Sequence, residues 1–163
     1  MQTHLENWKI YLDTCCLNRI FNDQTQARIR QETEAVKVIL ARFFTAQWRW
    51  LTSAVLMNEI NKTPNKMLRA EIGALLDLAD QNVTVRMMEI ARGTQLESLG
   101  FKWLDALHIA CAESGKADIL LTTDDRMLRR AKRFRLQLRV RVENPYIWLE
   151  EISRHEYTNS TEG

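Results

Sequence analysis

Five short runs of β-forming residues alternate with longer stretches of helical periodicity, and this alternation constrains the chain more than any other feature. The runs cover 8–12, 48–52, 83–85, 119–123 and 138–142. The fourth, Ile119-Leu120-Leu121-Thr122-Thr123, is nearly continuously apolar, as expected of a strand covered on both faces. The fifth alternates Leu138-Arg139-Val140-Arg141-Val142, as expected of an edge strand with one wet face. Between them, Ala35, Val38, Ile39, Arg42 and Phe43 mark one helical stripe, and Leu68, Ile72, Leu75, Leu76 and Ala79 a second. Leu104, Leu107, Ile109, Ala110 and Ala112 mark a third, which Gly115 is expected to close as the residue after the helix. Ser53 is a candidate N-cap, and Pro64 and Pro145 are expected between elements. The pattern predicts an α/β fold, a three-layer α/β/α domain on a mostly parallel sheet of about five strands.

At 163 residues, one domain is expected over 1–152, with a polar, flexible tail over 153–163. Hydrophobic residues at 45% and charged residues at 27% are enough to bury a core, which excludes general disorder. No apolar run is long enough to span a bilayer, so no membrane association is expected. The first residues, Met1-Gln2-Thr3-His4-Leu5-Glu6, are polar and mixed, so a secretory leader is not expected. Three cysteines, an odd number, argue against a disulfide framework, and a reduced cytoplasmic location is expected. The net charge of +2 hides a strong asymmetry: residues 1–125 carry −2, residues 126–141 carry +8 without an acid, and residues 142–163 carry −4. The central block is where an anionic partner would be attracted.

In a parallel sheet the carboxyl ends of the strands meet at one rim, where such sheets bind ligands. Asp13 directly follows the first run and Asp124 the fourth. Glu59 lies on the helix opening at Ser53, and Asp105 opens the helical run ending at Ala112. Two unit negative charges about 4 Å apart repel by roughly 4 kcal/mol at an effective dielectric near 20, so converging carboxylates need a counter-charge or must protonate. Hard oxygen ligands suit Mg²⁺ or Mn²⁺, ions that activate water and stabilise a phosphoryl transition state. A zinc site is not expected, because Cys15, Cys16 and Cys111 with His4, His108 and His155 lack paired ligand spacings.

The segments Tyr11-Leu12-Asp13-Thr14-Cys15-Cys16-Leu17-Asn18, Ser53 to Glu59, Leu104-Asp105-Ala106-Leu107-His108-Ile109-Ala110 and Ala117-Asp118-Ile119-Leu120-Leu121-Thr122-Thr123-Asp124 together resemble the PIN domain family, which includes VapC-like ribonuclease toxins. The resemblance runs from about residue 8 to residue 149. It implies a divalent-metal-dependent nuclease that hydrolyses RNA phosphodiesters, with Asp13, Glu59, Asp105 and Asp124 as the acidic quartet that binds the metal. Thr122 matches a hydroxyl residue that supports the metal shell, and Thr14 and His108 are further supporting candidates; Asp125 is a second candidate for the fourth position. Arg126, Arg129, Arg130, Lys132 and Arg133 are the candidate RNA contacts, and Arg19, Arg28 and Arg30 lie where they would add to them. An antitoxin protein and a second copy of the chain are the partners the resemblance implies. Cys15-Cys16 and the polar stretch Asn18-Arg19-Ile20-Phe21 depart from a plain toxin. Two enzyme rivals fail on particular residues: a haloacid dehalogenase needs an Asp where Cys15 stands, and a receiver domain needs its phosphoacceptor where Thr52-Ser53 stands. The rival of another class is a catalytically silent PIN-like RNA-binding or scaffold domain.

Overall fold

The computed structural model describes residues 7–162. The polar start, His4 and the first residues of the expected 1–152 domain therefore lie outside the described residues.

The strands are β1 (Lys9–Leu12), β2 (Arg49–Ser53), β3 (Gln81–Val83), β4 (Ile119–Leu121) and β5 (Arg141–Glu143). They form one sheet in the order β3-β2-β1-β4-β5, and every pair is parallel. The helices are α1 (Thr14–Arg19), α2 (Ala27–Phe44), α3 (Ala54–Asn61), α4 (Lys66–Leu76), α5 (Met87–Ser98), α6 (Trp103–Ser114), α7 (Asp125–Arg133) and α8 (Pro145–Thr161).

The period-2 pleat of the strands divides the core into two layers. Ile10, Leu12, Trp50, Ile119 and Leu121 face a cluster with Leu17 of α1, Ile39 of α2, Ile72 of α4 and Trp148 of α8. Tyr11, Leu51 and Leu120 face the opposite cluster, with Leu56 of α3, Leu96 of α5, Ile109 of α6 and Met127 of α7. Helices therefore cover both faces of the sheet, the three-layer α/β/α arrangement expected from the alternation. Trp48, Trp50, Trp148 and Cys111 are all core residues.

The strand order reverses direction at β1, leaving β1 and β4 side by side with their carboxyl ends together. This is the topological switch point, where open parallel sheets form their binding crevice. The Asp13 amide donates to the Leu121 carbonyl at 2.9 Å, tying the two exits together. Ser53 caps α3 as expected, accepting from the Leu56 amide at 3.3 Å.

Several boundaries differ from the sequence expectation. β3 covers Gln81–Val83 instead of 83–85, and β5 covers Arg141–Glu143 instead of 138–142. Arg135–Gln137 form a 3-10 turn, and the Glu113 carboxylate captures the Arg139 amide at 2.9 Å, so pairing with β4 begins only at Arg141. Pro145 is the first residue of α8 and not part of a linker. Its missing N–H is harmless at that position, and Asn144 caps the helix by accepting from the Tyr146 and Ile147 amides. α8 then runs through Thr161, so the stretch expected as a tail from residue 153 is the exposed end of a helix. Gly115 closes α6 with φ −78°, and the left-handed residue is Lys116 with φ 62°. Glycine is needed at 115 for space: a Cβ there would lie 2.5 Å from Leu51 Cδ2 and 2.9 Å from Val83 Cγ2. No helix among the described residues is long and apolar enough to cross a membrane.

Candidate active site

Asp13, Glu59, Asp105 and Asp124 line one cavity of about 440 Å³, together with Thr14, Cys15, Asn18, Lys102 and His108. Three separate reasons bring these side chains there. Asp13 is the N-cap of α1 at the exit of β1, and Asp124 is the N-cap of α7 just beyond β4. Asp105 lies in the first turn of α6, and Glu59 on α3 beyond the exit of β2.

Asp13 is buried, and its oxygens are held from three sides. Oδ1 accepts from the Thr14 amide at 2.8 Å, while Oδ2 accepts from the Thr122 hydroxyl at 2.8 Å and the Cys15 thiol at 3.3 Å. The Thr122 hydroxyl also accepts from the Asp124 amide at 3.2 Å, so one buried hydroxyl links the two acids. Asp124 caps α7 through Oδ1 alone, accepting from the Arg126 and Met127 amides at 2.9 and 3.1 Å. That leaves Oδ2 without a capping bond.

His108 is 1% exposed and holds Glu59. Its Nε2 faces Glu59 Oε1 and lies 3.6 Å from Asp13 Oδ1, while its Nδ1 is 2.6 Å from the Tyr11 hydroxyl. The Tyr11 hydroxyl in turn is 2.7 Å from Ser53 Oγ. Burial acts to lower the His108 pKa, but the Asp13 charge and then the Glu59 hydrogen bond and charge hold it above its ordinary value. For Glu59, burial acts upward, yet the His108 hydrogen bond and charge leave its carboxyl below the usual range. The Thr14 hydroxyl adds a smaller lowering from nearby without reaching hydrogen-bond geometry.

Asp105 is the member without a direct partner. Neither of its oxygens is hydrogen-bonded or ion-paired among the described residues. Burial, and then the charges of Asp13 and Asp124, push its carboxyl up to about 6. That elevation records burial and gathered like charge, which the nearby His108 and Lys102 charges offset only in part.

Among the described residues, no three His, Cys, Asp or Glu side chains are drawn close enough to form a ready ligand set. The donor chemistry nevertheless suits a hard divalent cation: carboxylate oxygens around an open cavity, a raised Asp105, and a buried Thr14 hydroxyl with no partner. Softer metals are poorly served, since the one thiol in the cavity is already engaged with Asp13 and Thr122.

The structure separates the remaining candidates. Asp125 does not line the cavity; it forms a two-pronged ion pair with Arg28 at 2.7 and 2.8 Å. Arg19 is tied to Glu32 at 3.0 Å, and Arg30 to the Gln24 and Thr25 carbonyls at 2.9 and 2.8 Å. Arg126, Arg129, Arg130 and Arg133 line a common hollow on α7, whereas Lys132 lies on the other side of that helix. Arg130 is partly committed, donating to the Leu99 carbonyl at 3.0 Å across Gly100. Gly100 has φ +97°, and a Cβ there would come within 2.3 Å of the Arg130 guanidinium. Sequence reasoning missed Tyr11, Asn18 and Lys102. Tyr11 lies two residues before Asp13 and so on the same side of β1, but an aromatic residue in a strand reads as core.

The PIN domain family profile matches residues 10–133. No curated protein matches the chain. Among solved structures, the VapBC2 complex of Rickettsia felis, bound to a DNA fragment from its promoter, matches with 15% identity and a TM-score of 0.51, over 83% of this chain and 98% of that one. PAE2754 of Pyrobaculum aerophilum matches with 12% identity and a TM-score of 0.50, over 90% of each chain. At these identities the two structures show a shared fold, and the profile carries the family. An all-parallel sheet with its acids at the β1–β4 switch point, matched by that profile over most of its length, makes this chain a member of the PIN domain family, whose members are generally divalent-metal-dependent nucleases.

Proposed function

We propose that the protein is an endoribonuclease that hydrolyses RNA phosphodiester bonds with Mg²⁺ or Mn²⁺. The observation that carries this reading is the convergence of Asp13, Glu59, Asp105 and Asp124 on one cavity, with Asp105 raised to about 6 by burial and by its acidic neighbours. These four residues would hold the cation. When bound, it supplies activation of water and neutralisation of the charge that develops on the phosphoryl oxygens.

The chain's own residues have distinct roles in this reading. Thr122 fixes Asp13 and, through the Asp124 amide, the start of α7, so the two acids keep a constant relation. His108 holds Glu59, and Tyr11 orients the imidazole from the far side. Thr14, with its hydroxyl unpartnered, is available to a ligand in the cavity. Arg126, Arg129, Arg130 and Arg133 start one turn from Asp124 and would attract the RNA backbone.

The decisive experiment is cleavage of an end-labelled mixed RNA pool by the wild type and Asp105→Asn, each with Mn²⁺, Mg²⁺ or EDTA. Cutting by the wild type alone, abolished by EDTA, is expected. Equal cutting by a clean Asp105→Asn preparation contradicts the assignment. A second reading, a silent RNA-binding domain, is favoured by the capture of Glu59 by His108. RNA binding without cutting in any metal would select it.

An antitoxin partner is proposed from the Rickettsia felis neighbour, in which toxin and antitoxin form a complex on promoter DNA. A homodimer is proposed as well, with the exposed Met87, Met88 and Ile90 of α5 as its surface. Sedimentation at several concentrations tests the second point.

A further inference from the structure

A second hollow, of about 790 Å³, lies between α7, the Arg135–Gln137 turn, β5 and the start of α8. Its floor is aliphatic: Leu128, Leu136, Leu138, Val140, Val142 and Ile147. Leu136 is 92% exposed and Ile147 55%, so no described residue covers them. Its rim is basic, with exposed Arg129, Lys132, Arg135, Arg139 and Arg141 against a single acid, Glu143. Arg141 is partnered by Glu151 at 2.7 Å and Glu143 at 3.5 Å. The other four have no carboxylate within ion-pair distance among the described residues.

One wall of this hollow is a sheet edge. β5 pairs with β4 on one side only, so its other side offers backbone hydrogen-bonding groups. We propose that this groove is a docking site for an acidic, aliphatic-rich extended segment of a partner protein, laid along β5 as an added strand. Strand addition takes its affinity from main-chain hydrogen bonds and its specificity from alternate side chains. Both halves of that requirement are present: an open strand edge at Arg141–Glu143, and apolar and basic side chains lining the groove beside it.

Charge decides among the occupants. A second copy would bring Arg139 and Arg141 against their own equivalents, and like charges facing across an edge disfavour pairing. Single-stranded RNA is recognised by stacking bases on aromatic side chains, and no aromatic residue lines this groove. An acidic segment with aliphatic alternate positions satisfies floor and rim together. The inference does not rest on the nuclease reading, since Arg135, Leu136 and Arg139 do not line the carboxylate cavity.

The test uses the full chain and a fluorescein-labelled peptide of about ten residues, alternating Glu or Asp with Val, Ile or Leu. Control peptides carry Lys in place of the acids, or Ser in place of the aliphatics, and a single-stranded RNA oligonucleotide forms a separate arm. Fluorescence anisotropy is expected to show binding of the acidic aliphatic peptide, with each control peptide at least about tenfold weaker. Arg135→Glu combined with Arg139→Glu, and separately Leu136→Ser, are expected to weaken the peptide by about tenfold at unchanged far-ultraviolet circular dichroism. Hydrogen exchange on the wild type is expected to slow at the amides of residues 141–143 when the peptide is added, a readout that requires no variant. Absence of peptide binding, equal binding by the Ser control or by the variants, or unchanged exchange at β5 overturns the proposal. RNA binding that is lost in these same variants while the peptide is ignored also overturns it, in favour of an RNA groove.

Discussion

Asp105 is the residue at which the electrostatics of the rim can be measured in isolation. Burial first, and then Asp13 and Asp124, raise its carboxyl to about 6, whereas an Asp in an unfolded chain ionises near about 3.9. Folding therefore favours the protonated form. The associated stability is complete below about pH 4 and is lost as pH rises through about 6. Asp105→Asn keeps the shape without the charge. In EDTA near about pH 7.5 it is expected to melt about 2–4 °C above the wild type, roughly 1 kcal/mol once solvent screening is allowed for. The difference is expected to vanish near about pH 4; equal melting at the higher pH contradicts this. The sequence favours Asp124 and keeps the adjacent Asp125 as a second candidate, both being acids at a helix start. Arg28, 97 residues away, separates them by engaging Asp125, and no local pattern reports so distant a partner. Tyr11 was hidden for another reason, since an aromatic residue in a strand has the pattern of core whether or not its hydroxyl is used.

At the scale of elements, the strand–helix alternation was legible because strand and helix periods differ, and the two layers follow from the pleat. Exact boundaries were not. β5 starts late because a buried glutamate on α6 takes the Arg139 amide, an event 26 residues away in sequence. α8 was obscured because its outer face is polar, while its inner face depends on partners from the N-terminal third of the chain. Trp148 meets Trp8 edge-on with ring centroids 5.6 Å apart and Trp48 at 5.2 Å. Trp148→Ala is expected to cost about 3–5 kcal/mol by opening a cavity under α8. Urea unfolding measures it, and a loss below about 1 kcal/mol would show that α8 packs independently of this cluster.

Across the whole molecule, the basic block that reads as one feature in the sequence is divided by the fold. Arg126, Arg129, Arg130 and Arg133 share a hollow on one side of α7, while Lys132, Arg135 and Arg139 border the aliphatic groove. Only Arg129 borders both. The two faces should therefore respond separately. Replacing Arg126, Arg129 and Arg133 with Ala in the Asp105→Asn background is expected to flatten the salt dependence of single-stranded RNA binding by about two units of log–log slope. Replacing Arg135 and Arg139 is expected to leave that slope unchanged. Equal effects from both sets would mean that RNA covers the groove as well. The division was illegible from composition because helical periodicity, not local charge density, assigns each residue to a face.

The claim on which the account turns is that the acids at the β1–β4 switch point hold a divalent cation. The most direct measurement is titration of Mn²⁺ into the metal-free protein and into Asp105→Asn, with free Mn²⁺ followed by electron paramagnetic resonance. The account expects uptake by the wild type, weakened at least about tenfold by removal of the Asp105 charge. No uptake by the wild type, or equal uptake by both, would contradict it.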